Sequence, residues 1–349
     1  MGAAQTTEGR GLVRGGTGLA WRSTAEHRRW CYVGKEIDGS GSALAMLLAT
    51  EGVTGVPAQL MTGRAAVAQV PPEQIRDWLT PVVSPIDGIV QALRLCGFVP
   101  RWDPLAGPLK EKCDMFRQLH SKTSGAPMLC GPLDRGQLWD RHENRYFAAG
   151  GHLVLVLGLD DTDAVTFHDP EGLPFARRSL CSLLDTLTDV GGLVSIEGRV
   201  ATPTREEMLL SGLQRVAMLR QQYFGHPWMS GPGLRGLVAA IAGRAPMGSK
   251  REVLWAGLSA RGRAATGLAE LSAKVRAEPM LCISLRALAL TSATALHALR
   301  RDDAKGIADA ISEMARWEDE LDHVFVRPLG QTEDPHLPPK WEMIDSDNR

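Results

Sequence analysis

The chain lacks an excess of charge of either sign: 39 Lys and Arg stand against 40 Asp and Glu, a formal net charge of −1. With a pI near 6.8, no long-range field draws it to nucleic acid or an anionic membrane surface. Partners must therefore be sought in local features. Paired cysteines are missing as well. Cys31, Cys96, Cys113, Cys130, Cys181 and Cys282 are scattered, with no Cys-x-x-Cys and no histidine cluster at ligand spacing, which argues against a zinc or dithiol redox centre. They read as reduced thiols of a cytoplasmic protein. Met1 to about Gly18 is rich in Gly, Thr and Ala but has no apolar core of a signal peptide, so residues 1–20 read as a disordered lead-in. No uninterrupted membrane-length run is present either: Met280 to Leu299, the longest apolar helical candidate, carries Arg286 and His297, which suits a buried bundle helix. Gly150-Gly151 lacks the glycine spacing, the Lys and the following helix of a phosphate loop. No internal repeat is evident.

What is there is ordinary globular composition, 44% hydrophobic and 23% charged over 349 residues, enough for two domains with sizeable cores. The periodicity changes once along the chain. Ser42 to Glu51, closed by Gly52, reads as a buried helix. Ser84-Pro85 opens a second helix to Cys96, with Ser as N-cap and Pro at the first helical position, and Leu109 to His120 gives a third. Pro127 to Cys130, Leu153 to Leu159, Ala164 to His168 and Gly192 to Ile196 are short apolar runs between Gly, Asp and Pro turns, read as strands of a largely antiparallel sheet. After Ala201-Thr202-Pro203-Thr204 strand signals stop. Arg205 to Gln222, Gly233 to Ala242, Lys250 to Ala277, Met280 to Arg300 and Asp303 to Val324 all carry helical periodicity, with Pro227, Pro232, Pro246 and Pro279 as punctuation. The expected organisation is an α+β domain over residues 21–200, an all-helical domain over 203–328 and an extended tail over 329–349.

The chemistry concentrates in two places. Gly150-Gly151-His152-Leu153-Val154-Leu155-Val156-Leu157-Gly158 puts a histidine at the start of one apolar run, and Val165-Thr166-Phe167-His168-Asp169-Pro170 puts an aspartate at the end of the next. Such an arrangement can align an imidazole with a carboxylate. Taken singly, His152 reads as a core histidine and Asp169-Pro170 as a turn; their order along the chain is what raises them. His168 alternates to the other strand face and reads as structural or substrate-facing. Upstream, Asp38-Gly39-Ser40-Gly41-Ser42-Ala43-Leu44 leads a small-residue turn into a helix, where unpaired N–H groups favour a nucleophile or an oxyanion. Ser40 and Ser42 also fit as helix N-caps. Cys31 reads as a buried thiol rather than a displaced nucleophile. Arg28-Arg29 and Arg177-Arg178 read as solvated surface, with docking of an acidic partner as the alternative. Trp102, Trp139 and Trp228 are read into loops, packed on the core or lining a cleft.

Ser40-Gly41-Ser42-Ala43-Leu44-Ala45 resembles the helix-start motif of papain-like cysteine enzymes with serine in the cysteine's place. Together with Cys130-Gly131-Pro132-Leu133-Asp134, the His152 run and His168-Asp169-Pro170-Glu171-Gly172, the stretch of about residues 28–200 resembles the butirosin biosynthesis protein H family. That family is acyl carrier protein-dependent and is related to bacteriocin-processing cysteine peptidases. The resemblance implies a papain-like domain with a helical C-terminal extension. It implies Ser40 as nucleophile, His152 as general base and acid, Asp169 as the group that fixes the imidazole, and the Ser40 and Gly41 backbone N–H groups as an oxyanion hole.

The match departs at two points. No cysteine stands at the motif, alternative registers placing Gly39 or Ser42 at the nucleophile position, and Gly34 occupies the slot where papain-like enzymes often carry an oxyanion Gln. Ser40 is accordingly an introduced, inactivating Cys-to-Ser replacement, a natural serine nucleophile, or the mark of a non-catalytic descendant. The implied activity is amide formation in bacterial natural-product biosynthesis, an acyl group passing from a carrier-protein thioester or another activated donor to a small amine. The alternatives are a peptidase-like hydrolase and a binding protein. No cofactor, metal, nucleic acid or membrane is expected, and a homodimer is compatible with the sequence.

Overall fold

A computed structural model describes residues 32, 39–56, 58–64, 66–70, 80–139, 151–170, 173–242, 250–274 and 279–326. The lead-in, the tail, Cys31, Gly34 and Arg28-Arg29 lie outside them. The protein is mixed α and β: a six-stranded antiparallel sheet flanked by helices, followed by a helical C-terminal region.

The first helix, α1 (Gly39–Thr50), is apolar nearly all round, with Ala43, Leu44, Met46, Leu47 and Leu48 buried. Such a helix must be covered on most sides. The short α2 (Ala58–Met61) and the two-stranded ribbon β1 (Ala68–Gln69) and β2 (Thr80–Pro81) follow. Next, α3 (Pro85–Leu95) starts as its sequence directs, the Ser84 side chain accepting from the Asp87 N–H with Pro85 in the first turn. Gly97, at φ +80°, leads out of it.

The large sheet comprises β3 (Phe98–Pro104), β4 (Met128–Leu133), β5 (His152–Leu159), β6 (Ala164–Asp169), β7 (Leu173–Ser179) and β8 (Leu187–Arg199), in the order β3-β8-β4-β5-β6-β7. Between its strands lie α4 (Leu109–Lys122), α5 (Arg135–Leu138) and α6 (Leu180–Asp185). Alternation on the central strands splits the core in two. Leu153, Leu155 and Leu157 of β5 join Leu129 and Val194 against α1 and α3. Val154 and Val156, with Cys130, Val165 and Phe167, pack on the other face against Cys113, Phe116 and Leu119 of α4 and Leu180, Leu183 and Leu184 of α6. Helices on both faces explain why β4 is buried throughout although every pairing in the sheet is antiparallel.

Both edge strands differ from the sequence reading. Trp102 lies in β3, not in a loop, and Arg177-Arg178 lie in β7. Each strand is at a sheet edge, where prolines and charges are tolerated because one side of the backbone needs no partner. Those same residues hide the strand pattern in the sequence.

The helical region comprises α7 (Arg205–Gln222), α8 (Ser230–Ala242), α9 (Lys250–Lys274), α10 (Pro279–Arg300) and α11 (Ala304–Val326). Thr204 and Glu207 form a reciprocal capping box at the start of α7. Among the described residues, α10 alone is long and apolar enough to cross a membrane by length and composition, and its Leu281, Leu285, Leu288, Ala295 and Leu299 lie in the helical core. That core also takes in Leu60, Ala66, Val67 and Val70 from before the sheet. The fully buried Arg220 links these parts. It donates to Asp322 (2.8 Å), the Glu318 carboxylate (2.9 Å) and the Ala66 carbonyl (2.8 Å), while Arg261 donates to the other Glu318 oxygen (2.6 Å).

Candidate functional site

His152 is the first residue of β5 and Asp169 the last of β6, so antiparallel pairing brings the two strand ends together. Gly151, at φ +69°, sets the entry to β5; a Cβ there would sit 2.4 Å from Pro85 Cγ, so the close approach of α3 requires glycine. His152 Nε2 lies 3.1 Å from Asp169 Oδ1, with the two side chains only 5% and 1% exposed. The ring N–H is not aimed along that line, and Nε2 has no geometric hydrogen bond. Re-aiming of the ring would turn this contact into a hydrogen bond, an alignment that catalytic pairs often reach only when substrate binds.

Asp169 is held more tightly than His152. Its Oδ2 accepts from Trp139 Nε1 at 2.6 Å, and its backbone carbonyl accepts from Tyr32 Oη at 3.0 Å. The Trp139 ring packs near Phe167, and the Arg178 guanidinium lies over it. One carboxylate oxygen is thus fixed by indole, while the other lies against the imidazole. The sequence flagged Trp139 as an aromatic but not this role; it sits at the end of α5, and only the fold puts it beside Asp169. Trp228 is exposed in the turn before α8.

His168 serves structure. It is fully buried, its Nδ1 accepts from the Phe175 N–H at 3.0 Å, and its ring meets Tyr32 and Phe175 edge-on.

Ser40 stands in the first turn of α1 and is buried, as are Gly41 and Ser42; Gly39 begins the helix. Among the described residues no hydrogen bond joins Ser40 to His152. His152 shares the strand parity of Val154, whereas the body of α1 covers the Leu153 face. The dyad lies at the end of the sheet, and Tyr32, which packs in the α1 layer, reaches Asp169 there. The structure thus unites His152 and Asp169 and leaves Ser40 at a helix start without a direct link to them.

The described thiols do not replace it. Burial pushes Cys130, in β4, and Cys96, at the C-terminal end of α3, up to about 12, which leaves both protonated and poorly nucleophilic. Among the described residues no group of three or more His, Cys, Asp or Glu is placed to hold a metal. An open cavity of about 780 Å³ lies elsewhere, between α9, α10 and the residues Gly55, Val56 and Ala58, with Arg205, Arg263 and Glu270 in its lining and neither dyad residue.

No family model matches the chain. It is similar to the uncharacterized protein YobF of Bacillus subtilis (strain 168), 28% identical over 151 residues, which cover 43% of this chain and 47% of that relative. The chain therefore matches about half the length of this curated relative.

Proposed function

We propose that the His152–Asp169 dyad is the acid–base centre of a papain-like acyl-transfer site, with Ser40 as the group it activates. The observation that carries this reading is the buried imidazole held against a carboxylate whose other oxygen is fixed by Trp139. A carboxylate on Nε2 selects the tautomer in which Nδ1 is the open base. Ser40 Oγ attacks the acyl carbon of a thioester, its proton passes to Nδ1, and the thiol departs carrying that proton. An amine then attacks the acyl-serine, gives up a proton to His152, and leaves as the amide, with Ser40 reprotonated. The first turn of α1 supplies backbone N–H groups suited to the oxyanion. The donor is a carrier-protein thioester or a similar activated acyl group, the acceptor a small amine, and the setting natural-product biosynthesis. The chain's own groups suffice for this step, with no metal or redox cofactor.

A second reading, a non-catalytic binding protein, is favoured by the missing Ser40–His152 hydrogen bond and the missing cysteine. One experiment separates them. Ser40→Cys is incubated with a panel of acyl thioesters, followed by intact mass, beside Ser40→Ala and Ser40→Cys combined with His152→Ala. The catalytic reading expects an acyl adduct on the cysteine variant that the His152 change slows ~10²-fold or more; no adduct across the panel counts against acyl transfer at this site.

A further inference from the structure

Two thiols outside the dyad meet across the helix layer. Cys113 in α4 is 2% exposed, whereas Cys181, the second residue of α6, is open to solvent. Their Sγ atoms are 3.1 Å apart although 68 positions separate them in sequence. The contact is built by packing: Phe116 and Leu119 of α4 interlock with Leu180, Leu183 and Leu184 of α6. Burial, then the neighbouring Cys181 thiol, pushes Cys113 up to about 12. The accessible sulfur is therefore the one an oxidant meets, and the protected sulfur waits within reach.

We propose that Cys113 and Cys181 form a reversible intramolecular disulfide, with a peroxide as oxidant. The Cys181 sulfur attacks one peroxide oxygen, the O–O bond breaks, and a sulfenic acid and one water result. The Cys113 sulfur then attacks the sulfenic sulfur, the S–S bond forms, and a second water leaves with the Cys113 proton. Two thiols lose two electrons in all, and the peroxide takes them up. The gap to close runs from 3.1 Å to a bond of about 2.05 Å. No other described thiol has a sulfhydryl neighbour: Cys96 meets the Met61 thioether at 3.7 Å, and Cys282 a backbone carbonyl at 3.9 Å. The loop so closed contains Trp139, His152 and Asp169, so oxidation restrains the part of the chain that carries the dyad.

The test treats the full chain with equimolar hydrogen peroxide, alkylates it under denaturing conditions without reductant, and reads intact mass and peptide maps. The expected result is loss of two alkylatable thiols, a Cys113–Cys181 linked peptide, return of both thiols with dithiothreitol, and a thermal midpoint raised by several degrees. With Cys113→Ser, a dimedone-trappable sulfenic acid should persist on Cys181, and with Cys181→Ser no linked peptide should form. The proposal is overturned if Cys113 remains alkylatable while Cys181 accumulates oxygen adducts, or if the linked peptide involves another cysteine.

Discussion

Asp169 is the residue on which the candidate site turns, because a buried carboxylate is tolerated only when its oxygens are satisfied. Trp139 satisfies one of them at 2.6 Å. Trp139→Phe keeps most of the ring and removes the donor, so unfolding free energy should fall by ~1–3 kcal/mol in urea titration. In the Ser40→Cys background the same change should slow acyl-adduct formation. Undiminished stability would show that solvent had replaced the indole. At this scale His152 and Asp169 were readable from sequence, since each sits where an apolar run begins or ends. Trp139 was not readable as a partner, because nothing local tells which of nine tryptophans the fold will bring to a given carboxylate.

Among the elements, the β5–β6 hairpin carries the dyad at one end and its turn at the other. Asp160 closes that turn, its Oδ1 accepting from Thr162 Oγ1 (2.7 Å), Thr162 N–H (2.8 Å) and Ala164 N–H (2.9 Å). The Thr162 side-chain bond, the Ala164 and Thr162 backbone bonds and the nearby Arg177 hold its carboxyl down at about 2, against an ordinary 3.8. A depressed carboxyl stabilises the folded state above the ordinary value and loses that contribution as pH falls through the lowered one. The stability gap between the wild type and Asp160→Asn should thus be full at pH 7 and narrow between about 4 and 2. Urea unfolding at a series of pH values measures it, and a gap that widened on acidification would contradict the assignment.

Thr204→Ala, which removes the side chain of the α7 capping box, should cost about 1 kcal/mol by the same measurement. The Ser84 cap was visible in the sequence because capping is local chemistry, and the start of α7 at Arg205 was visible from periodicity, its Thr204 cap emerging only in the structure. The edge strands were not, because Pro100, Pro104, Arg177 and Arg178 break the apolar alternation that marks a strand.

Across the whole molecule, two apolar layers sandwich the sheet and a third core fills the bundle, with the Arg220, Arg261, Glu318 and Asp322 cluster buried in the bundle. Burial alone raises the Glu318 carboxyl, but Arg261 and Arg220 beside it bring it below its ordinary value. Glu318→Ala leaves two buried guanidinium groups short of a counter-charge, so ~3–5 kcal/mol of stability should be lost. Denaturant unfolding of the pure protein reads this, and a loss confined to the range of an exposed pair would show that water enters the cluster. Arg220 also holds the Ala66 carbonyl, so the change should loosen the segment before the sheet, visible as faster amide exchange there.

The sequence by itself determined the change from mixed strands and helices to helices alone, the starts of α3 and α7, and the strand ends that carry His152 and Asp169. Those depend on capping and periodicity over a few residues. Only the tertiary structure decided that Trp139 clamps Asp169, that Ser40 makes no hydrogen bond to His152, and that Leu60, Ala66, Val67, Ala68 and Val70 join the bundle core. Contacts between residues far apart in sequence are set by packing, which local pattern does not encode.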